Sequence, residues 1–387
     1  MAAAGLEELT RNAVHVLPEG ELERKLALGR PLRVKLGIDV TAPEMHVGHA
    51  IPLRRMRAFQ DAGHIGVLIV GDYTTRIGDP SGRSAERPVL SDEEIDANAK
   101  RYFEQAALVI DTDPARLEVR FNGEWLGQLD FAEVLRLTRT TTVARLLERD
   151  DFAKRYAAQA PISVSELLYP LMQAYDSVAV QADVELGGTD QLHNLLGARG
   201  VMEAYGLEPQ VALTTPLLFG ADGEKMSKSR GNMIGLTDPP EEQFGRTMRI
   251  SDELLPDYYR LVMEVDPREM PDDPMEAKLA LARWIVTRSH GEAAAVAAEE
   301  HFTRVVRRHE APDDLPEVEV AGVLFLPELL KGHFGQSSSH WRRMIDQGGV
   351  KLNGEPLGEL ELDARGLDGA VLQAGKRQFV RLRERSA

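Results

Sequence analysis

Residues 33–61 read Arg33-Val-Lys-Leu-Gly-Ile-Asp-Val-Thr-Ala-Pro-Glu-Met-His-Val-Gly-His-Ala-Ile-Pro-Leu-Arg-Arg-Met-Arg-Ala-Phe-Gln-Asp61. The first seven residues alternate as a strand does. Thr41-Ala-Pro43 and His46-Val-Gly-His49 follow in a tight loop. An amphipathic helix then runs on through Arg54, Arg55 and Phe59. Strand, short loop and helix start make a βα unit, which points backbone N–H groups at an anion. His46 and His49 are three apart, which predicts both rings on one face of the helix's first turn. Gly48 between them lets a flat ligand lie close to the backbone. One reading is a nucleotide site in which the imidazoles donate to phosphate oxygens. Another is a pair of surface histidines at a helix start. A third, a zinc pair, has no HExxH pattern and no cysteine behind it.

Outward from this unit, His64-Ile-Gly-Val-Leu-Ile-Val-Gly71 is a nearly continuous apolar run, as a buried parallel strand requires. It ends in Asp72-Tyr-Thr-Thr-Arg-Ile-Gly-Asp-Pro-Ser-Gly-Arg83, in the place where open α/β sheets bind ligands. Asp79-Pro-Ser-Gly82 is a tight turn. Arg83 and Arg87 beyond it suit a phosphate, or are exposed arginines of a polar turn. Upstream, residues 1–30 read as a leader helix, with Leu6, Leu9, Val14, Leu17, Leu22 and Leu26 at helical spacing. Residues 90–165 read as a helical insertion between two halves of the sheet. Within it, Thr138 to Tyr156 is either a subunit interface or an ordinary packed helix.

From Ser163 to Val180, Leu167, Leu168, Leu171, Met172 and Tyr175 mark the buried side of a helix. Tyr169, Gln173 and Asp176, at i, i+4 and i+7, form a polar stripe on one face. Such a stripe can hold an ammonium at one end and a hydroxyl at the other; a solvated face would more often carry Lys or Glu. Val184-Glu-Leu-Gly-Gly-Thr-Asp-Gln191 reads as a glycine turn that admits a ligand, with Thr189 or Asp190 capping the helix through Asn194. Gln210 to Phe219 is another apolar strand. Gly223-Glu-Lys-Met-Ser-Lys-Ser-Arg-Gly-Asn232 places Lys225 and Lys228 in a small polar loop with glycines on both sides as hinges. It is either a device closing two ammonium groups on a polyphosphate or solvated surface.

The rest is organised more loosely. Residues 236–310 are polar and helix-rich, 311–322 carry mixed charge and prolines as a linker does, and 323–387 form a separate unit. In that unit Leu329 to Ile345 predicts two short helices, and Gly348 to Pro356 a strand with an Asn-Gly turn. The tail Lys376-Arg-Gln-Phe-Val-Arg-Leu-Arg-Glu-Arg385 alternates basic and apolar residues. It reads as an edge strand with one basic face, suited to RNA or to protecting the edge.

Composition sets limits. With 387 residues, 43% of them hydrophobic, the chain can build two or three domains. The absence of cysteine removes disulfides, thiolate zinc sites and a cysteine nucleophile, and fits a cytoplasmic protein. No signal-peptide core and no membrane-length apolar run is present, so no membrane partner is expected. A net charge of −16 means that any nucleic-acid partner must be held by local basic patches.

Taken together and in this order, the motifs are specific. His46-Val-Gly-His49 and, about 180 residues on, Lys225-Met-Ser-Lys-Ser229 resemble the paired signatures of class I aminoacyl-tRNA synthetases. Gly78-Asp-Pro-Ser-Gly82, the Tyr169/Gln173/Asp176 helix and Gly187-Gly-Thr-Asp-Gln191 with Asn194 resemble the bacterial tyrosyl-tRNA synthetases within that class. The likeness extends over essentially the whole chain. Trp341-Arg-Arg-Met-Ile345 and Gly349-Val-Lys-Leu-Asn-Gly354 resemble a small α+β RNA-binding fold named after a ribosomal small-subunit protein.

The resemblance implies a Rossmann-like parallel-sheet catalytic domain over residues 1–235, a helical anticodon-side domain and a C-terminal RNA-binding domain. It implies ATP, accompanied by Mg²⁺, L-tyrosine and tyrosine tRNA as partners, a homodimer, and no protein-ligated metal. Thr41 and His46 would meet the pyrophosphate and His49 the ribose side. Lys225 and Lys228 would close over the phosphates with Arg83 and Arg87 assisting. Gly37, Asp39, Gly48, Gly188 and Asp190 would complete the ATP site. Asp79, Tyr169, Gln173 and Gln191 would receive the amino end of tyrosine, and Asp176 its phenol. Arg342, Arg343, Lys351, Lys376 and Arg377 would contact RNA. One departure stands out: Lys35 occupies the position where many members carry a tyrosine as second partner of the phenol, and Tyr73 is a candidate replacement. Two rivals stay open at this point, a tryptophanyl or altered-specificity synthetase and a non-catalytic RNA-binding protein on the same frame.

Overall fold

A computed structural model describes residues 2–41, 43–79, 90–224, 226, 231–304, 315–375 and 378–385. The chain divides into two compact units, Met1–Asp238 with Arg246–Leu281, and Pro239–Gly245 with Ala282–Ala387.

The first unit is built on six strands, β1 (His15–Leu17), β2 (Arg33–Ile38), β3 (Ile65–Val70), β4 (Leu117–Phe121), β5 (Val184–Gly188) and β6 (Val211–Thr215), in the order β1-β6-β5-β2-β3-β4. All neighbours are parallel except β1, which runs antiparallel to β6. Crossovers between parallel strands need helices. The helices up to β6 are α1 (Ala2–Leu9) and α2 (Glu21–Leu26), before β2, and, between the parallel strands, α3 (Ala50–Asp61), α4 (Asp92–Ala106), α5 (Gly123–Leu126), α6 (Phe131–Thr138), α7 (Val143–Leu146), α8 (Asp150–Ala157), α9 (Val164–Val180) and α10 (Leu192–Ala204). Strand side chains alternate between faces, and the sheet is covered on both. Gly66 of β3 faces Met56 and Gln60 of α3, while Val67 and Ile69 pack with Val180 at the end of α9.

Three sequence expectations are corrected here. The leader is not one helix, because His15–Leu17 lies between α1 and α2 and pairs with Ala212–Thr214 at the sheet edge. The span 90–165 is not wholly helical. Its Leu117-Glu-Val-Arg-Phe121 alternates and docks on β3 as the other edge strand. Gly187 and Gly188 are not a turn but the last residues of β5, and neither Thr189 nor Asp190 caps α10, whose N-cap is Gln191.

Beyond the sheet, α11 (Pro240–Thr247), α12 (Leu255–Tyr258), α13 (Pro274–His290) and α14 (Glu292–Phe302) follow in sequence. The second unit adds β7 (Glu317–Val320), β8 (Val323–Phe325), α15 (Leu326–Phe334), α16 (Ser338–Asp346), β9 (Val350–Leu352), β10 (Glu355–Pro356), β11 (Glu361–Asp363), β12 (Val371–Ala374) and β13 (Gln378–Glu384). Five of these strands form a sheet in the order β10-β9-β12-β13-β7, over a core that includes Trp341, Leu330, Ile345, Leu372 and Leu382. The basic tail is therefore an interior strand, because β7, drawn from the span read as linker, pairs along its outer side.

Helix α9 carries the polar stripe, and its start is locked in two ways. Ser163 and Glu166 form a capping box, and Glu166 also takes a bidentate pair of hydrogen bonds from buried Arg155 at 2.6 and 3.0 Å. Ser163→Ala is expected to cost about 1 kcal/mol, the value of one cap. Glu166→Ala is expected to cost about 3–5 kcal/mol because it strands a buried guanidinium. Urea denaturation of the two variants checks the order.

Candidate active site

A cavity of about 440 Å³ opens at the carboxyl ends of β2, β3, β5 and β6. Its position follows from the strand order. From β2 the chain crosses to β3 on one side, and from β5 to β6 on the other, so the β2/β5 boundary is a topological switch point. Those two strands pair only at Val34 with Val184 and Lys35 with Glu185. Past that level they part, and the space between them is the cavity. Gly37 and Gly187 stand one pleat above Lys35 and Glu185 on the same face. A Cβ on Gly37 would meet open space, so this wall leaves room for a ligand.

Two hydrogen-bonded groups line the side wall. Asp39 accepts from the Thr74 hydroxyl at 2.8 Å and from the Tyr169 hydroxyl at 3.0 Å. Asn122 donates to Thr74 Oγ1 at 3.0 Å, which ties β4's end into the same group. Asp79 accepts from Gln191 Nε2 at 2.8 Å, and Asn194 Nδ2 donates to both Gln191 Oε1 and Gln173 Oε1 at 3.0 Å. Burial and the neighbouring Asp39 and Asp79 charges keep the Tyr169 phenol neutral, well above its ordinary titration range.

Asp176 ends the stripe. It is 3% exposed, and accepts from Trp125 Nε1 at 2.8 Å and Asn122 Nδ2 at 3.4 Å. Burial raises its pKa to about 7, against the lowering effects of the Lys35 charge and those two donors. Tyr169 and Asp176, the stripe's ends, are buried, while Leu167, Leu168 and Tyr175 are only half-buried. The polar face of α9, not only its apolar face, is thus turned inward.

On the opposite side, the loop after β2 is held by α4. Asn98 donates to the Val40 carbonyl, and Gln105 donates to the Pro43 carbonyl while accepting from Met45 N–H, all at 2.8–2.9 Å. His46 and His49 lie in the turn before α3 rather than within its first helical turn. Their rings overlap with centroids 3.8 Å apart, and Val47 N–H donates to the Ile234 carbonyl at 3.0 Å. Gly188 allows close packing: a Cβ there would lie 2.7 Å from Asp190 Oδ1 and 2.8 Å from Leu217 Cδ2.

One cavity thus brings together Gly37, Asp39, Thr41, His46, Gly48, His49, Asp79, Tyr169, Gln173, Asp176, Gly188, Asp190 and Gln191. Arg83, Arg87, Lys225 and Lys228 lie outside the described residues; Met226, between the two lysines, lines the cavity. Arg342, Arg343 and Lys351 belong to the second unit, and Lys376 and Arg377 also lie outside the described residues. Tyr73 does not line the cavity; it packs with Leu126, Tyr169 and Met172. Sequence reading missed Thr74, Asn122, Trp125 and Glu185. The alternation of Leu117–Phe121 was the signal for Asn122, since a residue just past a parallel strand's end sits at the cleft. Among the described residues, no group of three His, Cys, Asp or Glu side chains is placed to hold a metal ion.

The model of the family "tRNA synthetases class I (W and Y)" matches residues 27–307, and the chain belongs to that family. Within it, the similar curated relatives are tyrosine–tRNA ligases. The Thermotoga maritima protein is 47% identical, over 97% of this chain and 96% of its own. The Moorella thermoacetica protein is also 47% identical, over 98% and 96%. The chain falls in this tyrosine branch. Among solved structures, the tyrosyl-tRNA synthetase of Archaeoglobus fulgidus complexed with L-tyrosine shares the fold with a TM-score of 0.63 at 24% identity, covering 78% of this chain and 99% of that one. A C-terminally truncated mitochondrial tyrosyl-tRNA synthetase of Aspergillus nidulans gives the same TM-score, over 77% and 92%.

Gly188→Ala is expected to push Asp190 out of place. Tyrosine-dependent pyrophosphate exchange should fall several-fold while the circular-dichroism spectrum stays that of the unaltered protein.

Proposed function

We propose that the chain activates L-tyrosine with ATP and transfers it to the terminal adenosine of tyrosine tRNA. The observation that carries this reading is the polar stripe of α9. It runs about 10 Å between Tyr169 and Asp176 at a rise of about 1.5 Å per residue, with Asp176 buried at the closed end. Asp79, Tyr169 and Gln173 receive the ammonium group of tyrosine, Gln191 lines the same pocket, and Asp176 accepts the phenolic hydrogen bond. The tyrosine carboxylate attacks the α-phosphate of ATP in line and pyrophosphate leaves. A hydroxyl of the tRNA's terminal ribose then attacks the tyrosyl carbonyl, and AMP leaves. Neither step needs a covalent enzyme intermediate, so catalysis is positioning with charge stabilisation.

Gly37, Asp39, Gly48 and Gly188 line the ATP side in this reading, and Asp190 holds the ribose. Thr41 and His46 meet the outgoing pyrophosphate and His49 the ribose side. Lys225 and Lys228 close on the phosphates, with Arg83 and Arg87 assisting; Mg²⁺ enters with ATP as part of the substrate. Residues 1–235 carry the chemistry, 236–310 the anticodon side, and 323–387 bind RNA beyond the 311–322 linker. Arg342, Arg343, Lys351, Lys376 and Arg377 supply that RNA contact. Arg342 and Arg343 are exposed on α16, which supports their role. A homodimer completes the reading, supported by the exposed Phe131 (77%), Tyr156 (67%) and Val164 (73%) around the 90–165 span. Light scattering tests it. None of the described helices is long and apolar enough to cross a membrane, in keeping with a cytoplasmic role.

The deciding measurement is amino-acid-dependent ATP–pyrophosphate exchange: tyrosine should support it and tryptophan should not. Asp176→Asn should lower the tyrosine-over-phenylalanine ratio about 10- to 100-fold, the worth of a charged hydrogen bond of about 1.5–3 kcal/mol. An unchanged ratio would show that Asp176 does not read the phenol.

The raised pKa of Asp176 sets a pH dependence. Above about 7 the carboxylate is ionised and accepts the phenol; as pH falls through about 7 it takes up a proton and that anionic acceptor is lost. The KM for tyrosine should therefore rise below pH 7, whereas that for phenylalanine, which has no phenol to place, should not rise with it. Exchange kinetics between pH 6 and 9 check both.

A further inference from the structure

Lys35 lies under the floor of the cavity with 0% exposure. Its three ammonium donors are all used: the Gln173 carbonyl at 2.9 Å, Ser177 Oγ at 2.7 Å and Glu185 Oε1 at 2.9 Å. Glu185 is its register partner across the β2/β5 boundary, at the last level where those strands pair. Glu185 in turn accepts from Gln173 Nε2 at 3.2 Å, from Ser177 Oγ at 3.3 Å and from Gln210 Nε2. The lysine therefore grips α9 directly at the Gln173 carbonyl and at Ser177 Oγ, and again through Glu185, which holds the Gln173 amide and the Ser177 hydroxyl. Gln173 and Asp176 both line the cavity, and Ser177 adjoins Asp176.

A buried ion pair of this sort contributes little net stability against an apolar pair of the same volume. What it does provide is a fixed position and a fixed charge. We propose that Lys35 is a positioning residue for tyrosine selection: its buried ammonium fixes Gln173 through Glu185 and supplies positive charge to the Asp176 carboxylate. In this chain the pocket thus serves the phenol by charge from below. The inference rests on the functional reading above.

The charged groups acting on Asp176 are Lys35 from β2 and Glu185 from β5; Tyr169 stands at the other end of the α9 stripe, under the charges of Asp39 and Asp79 from the loops beyond β2 and β3. Burial is the largest influence on Asp176 and opposes its charge; the Lys35 ammonium is the largest influence in favour of it, and Glu185 acts weakly against. Removal of Lys35 and Glu185 together therefore leaves a net loss of support for the Asp176 anion.

The test uses the full chain and two variants. Lys35→Met alone strands the Glu185 carboxylate and risks misfolding, so Lys35→Met/Glu185→Gln is the decisive one. In pyrophosphate exchange between pH 6 and 9, the double variant should keep the parent's melting temperature and its KM for ATP. Its KM for tyrosine at pH 7 should rise several-fold, since a carboxyl that is about half ionised there loses most of its anionic form when its pKa moves up. The pH below which tyrosine binding weakens should move upward, and the tyrosine-over-phenylalanine ratio should fall. A folded double variant with the parent's tyrosine KM, ratio and pH profile overturns the proposal. A double variant that loses its fold also overturns it, by making Lys35 a structural residue. If the unaltered protein shows no tyrosine-dependent exchange, the functional reading itself fails, and the role of Lys35 with it.

Discussion

The parting of β2 and β5 beyond Lys35 and Glu185 is the constraint on which the site depends. Two parallel strands that stayed paired to their ends would leave no space between them. Here the pairing stops after two residues, at a buried ion pair, and the next inward-facing positions are glycines. The ion pair closes the floor, Gly37 leaves the volume above it free, and Gly187 lets Gln191 and Leu195 pack close beside it. The crossover directions of a right-handed α/β sheet require such an opening somewhere, and the side chains determine what it can hold.

Among the described residues, the carboxylates on its walls are Asp39, Glu44, Asp79, Asp176, Glu185 and Asp190, and no lysine or arginine lines the cavity with them. An environment of that kind favours an ammonium and would repel a polyphosphate unless cations were supplied from elsewhere. The division of labour follows from that imbalance. The carboxylates and Tyr169 suit the amino end of an amino acid. In the proposed reading the phosphate side falls to the histidine turn before α3 and to Lys225, Lys228, Arg83 and Arg87. Within the acidic wall each carboxylate is kept distinct by its partners. Asp39 is held by two hydroxyls and Asp79 by an amide, while Asp176 has an indole and an amide but is buried enough to titrate near neutrality. Burial thus sets Asp176 apart.

The histidine turn shows how far positioning reaches beyond the site. His46 and His49 are set by backbone pairing to Ile234 and Gly235 behind them, and the preceding loop by Asn98 and Gln105 of α4. These supports come from segments between 50 and 190 residues distant in sequence, so their substitution would disturb the turn without touching a ligand. The second unit has its own core around Trp341, whose indole donates to the Gly335 carbonyl at 2.8 Å.

Local pattern was enough for much of this. The apolar run at 65–70, the strand-loop-helix at 33–61 and the i, i+4, i+7 stripe on α9 are short-range signals, because periodicity and loop chemistry act over a few residues. They disclosed the parallel sheet, the ligand-binding side of its opening strands and most of the cavity's polar residues. Contacts between distant segments were not legible. His15–Leu17 looked helical because three residues cannot show a period, and only Thr214 and its neighbours made them a strand. Gly187 and Gly188 looked like a turn because glycine marks turns, whereas here they let Asp190, Gln191 and Leu217 pack tightly against a strand end. The basic tail looked like an edge because nothing local announces β7 beside it. Lys35 read as a missing tyrosine, and its meaning came from Glu185, 150 residues away, meeting it across the sheet. Sequence determines which elements form, since those forces are local; tertiary structure alone decides which buried charges face each other, since that depends on strand order and register.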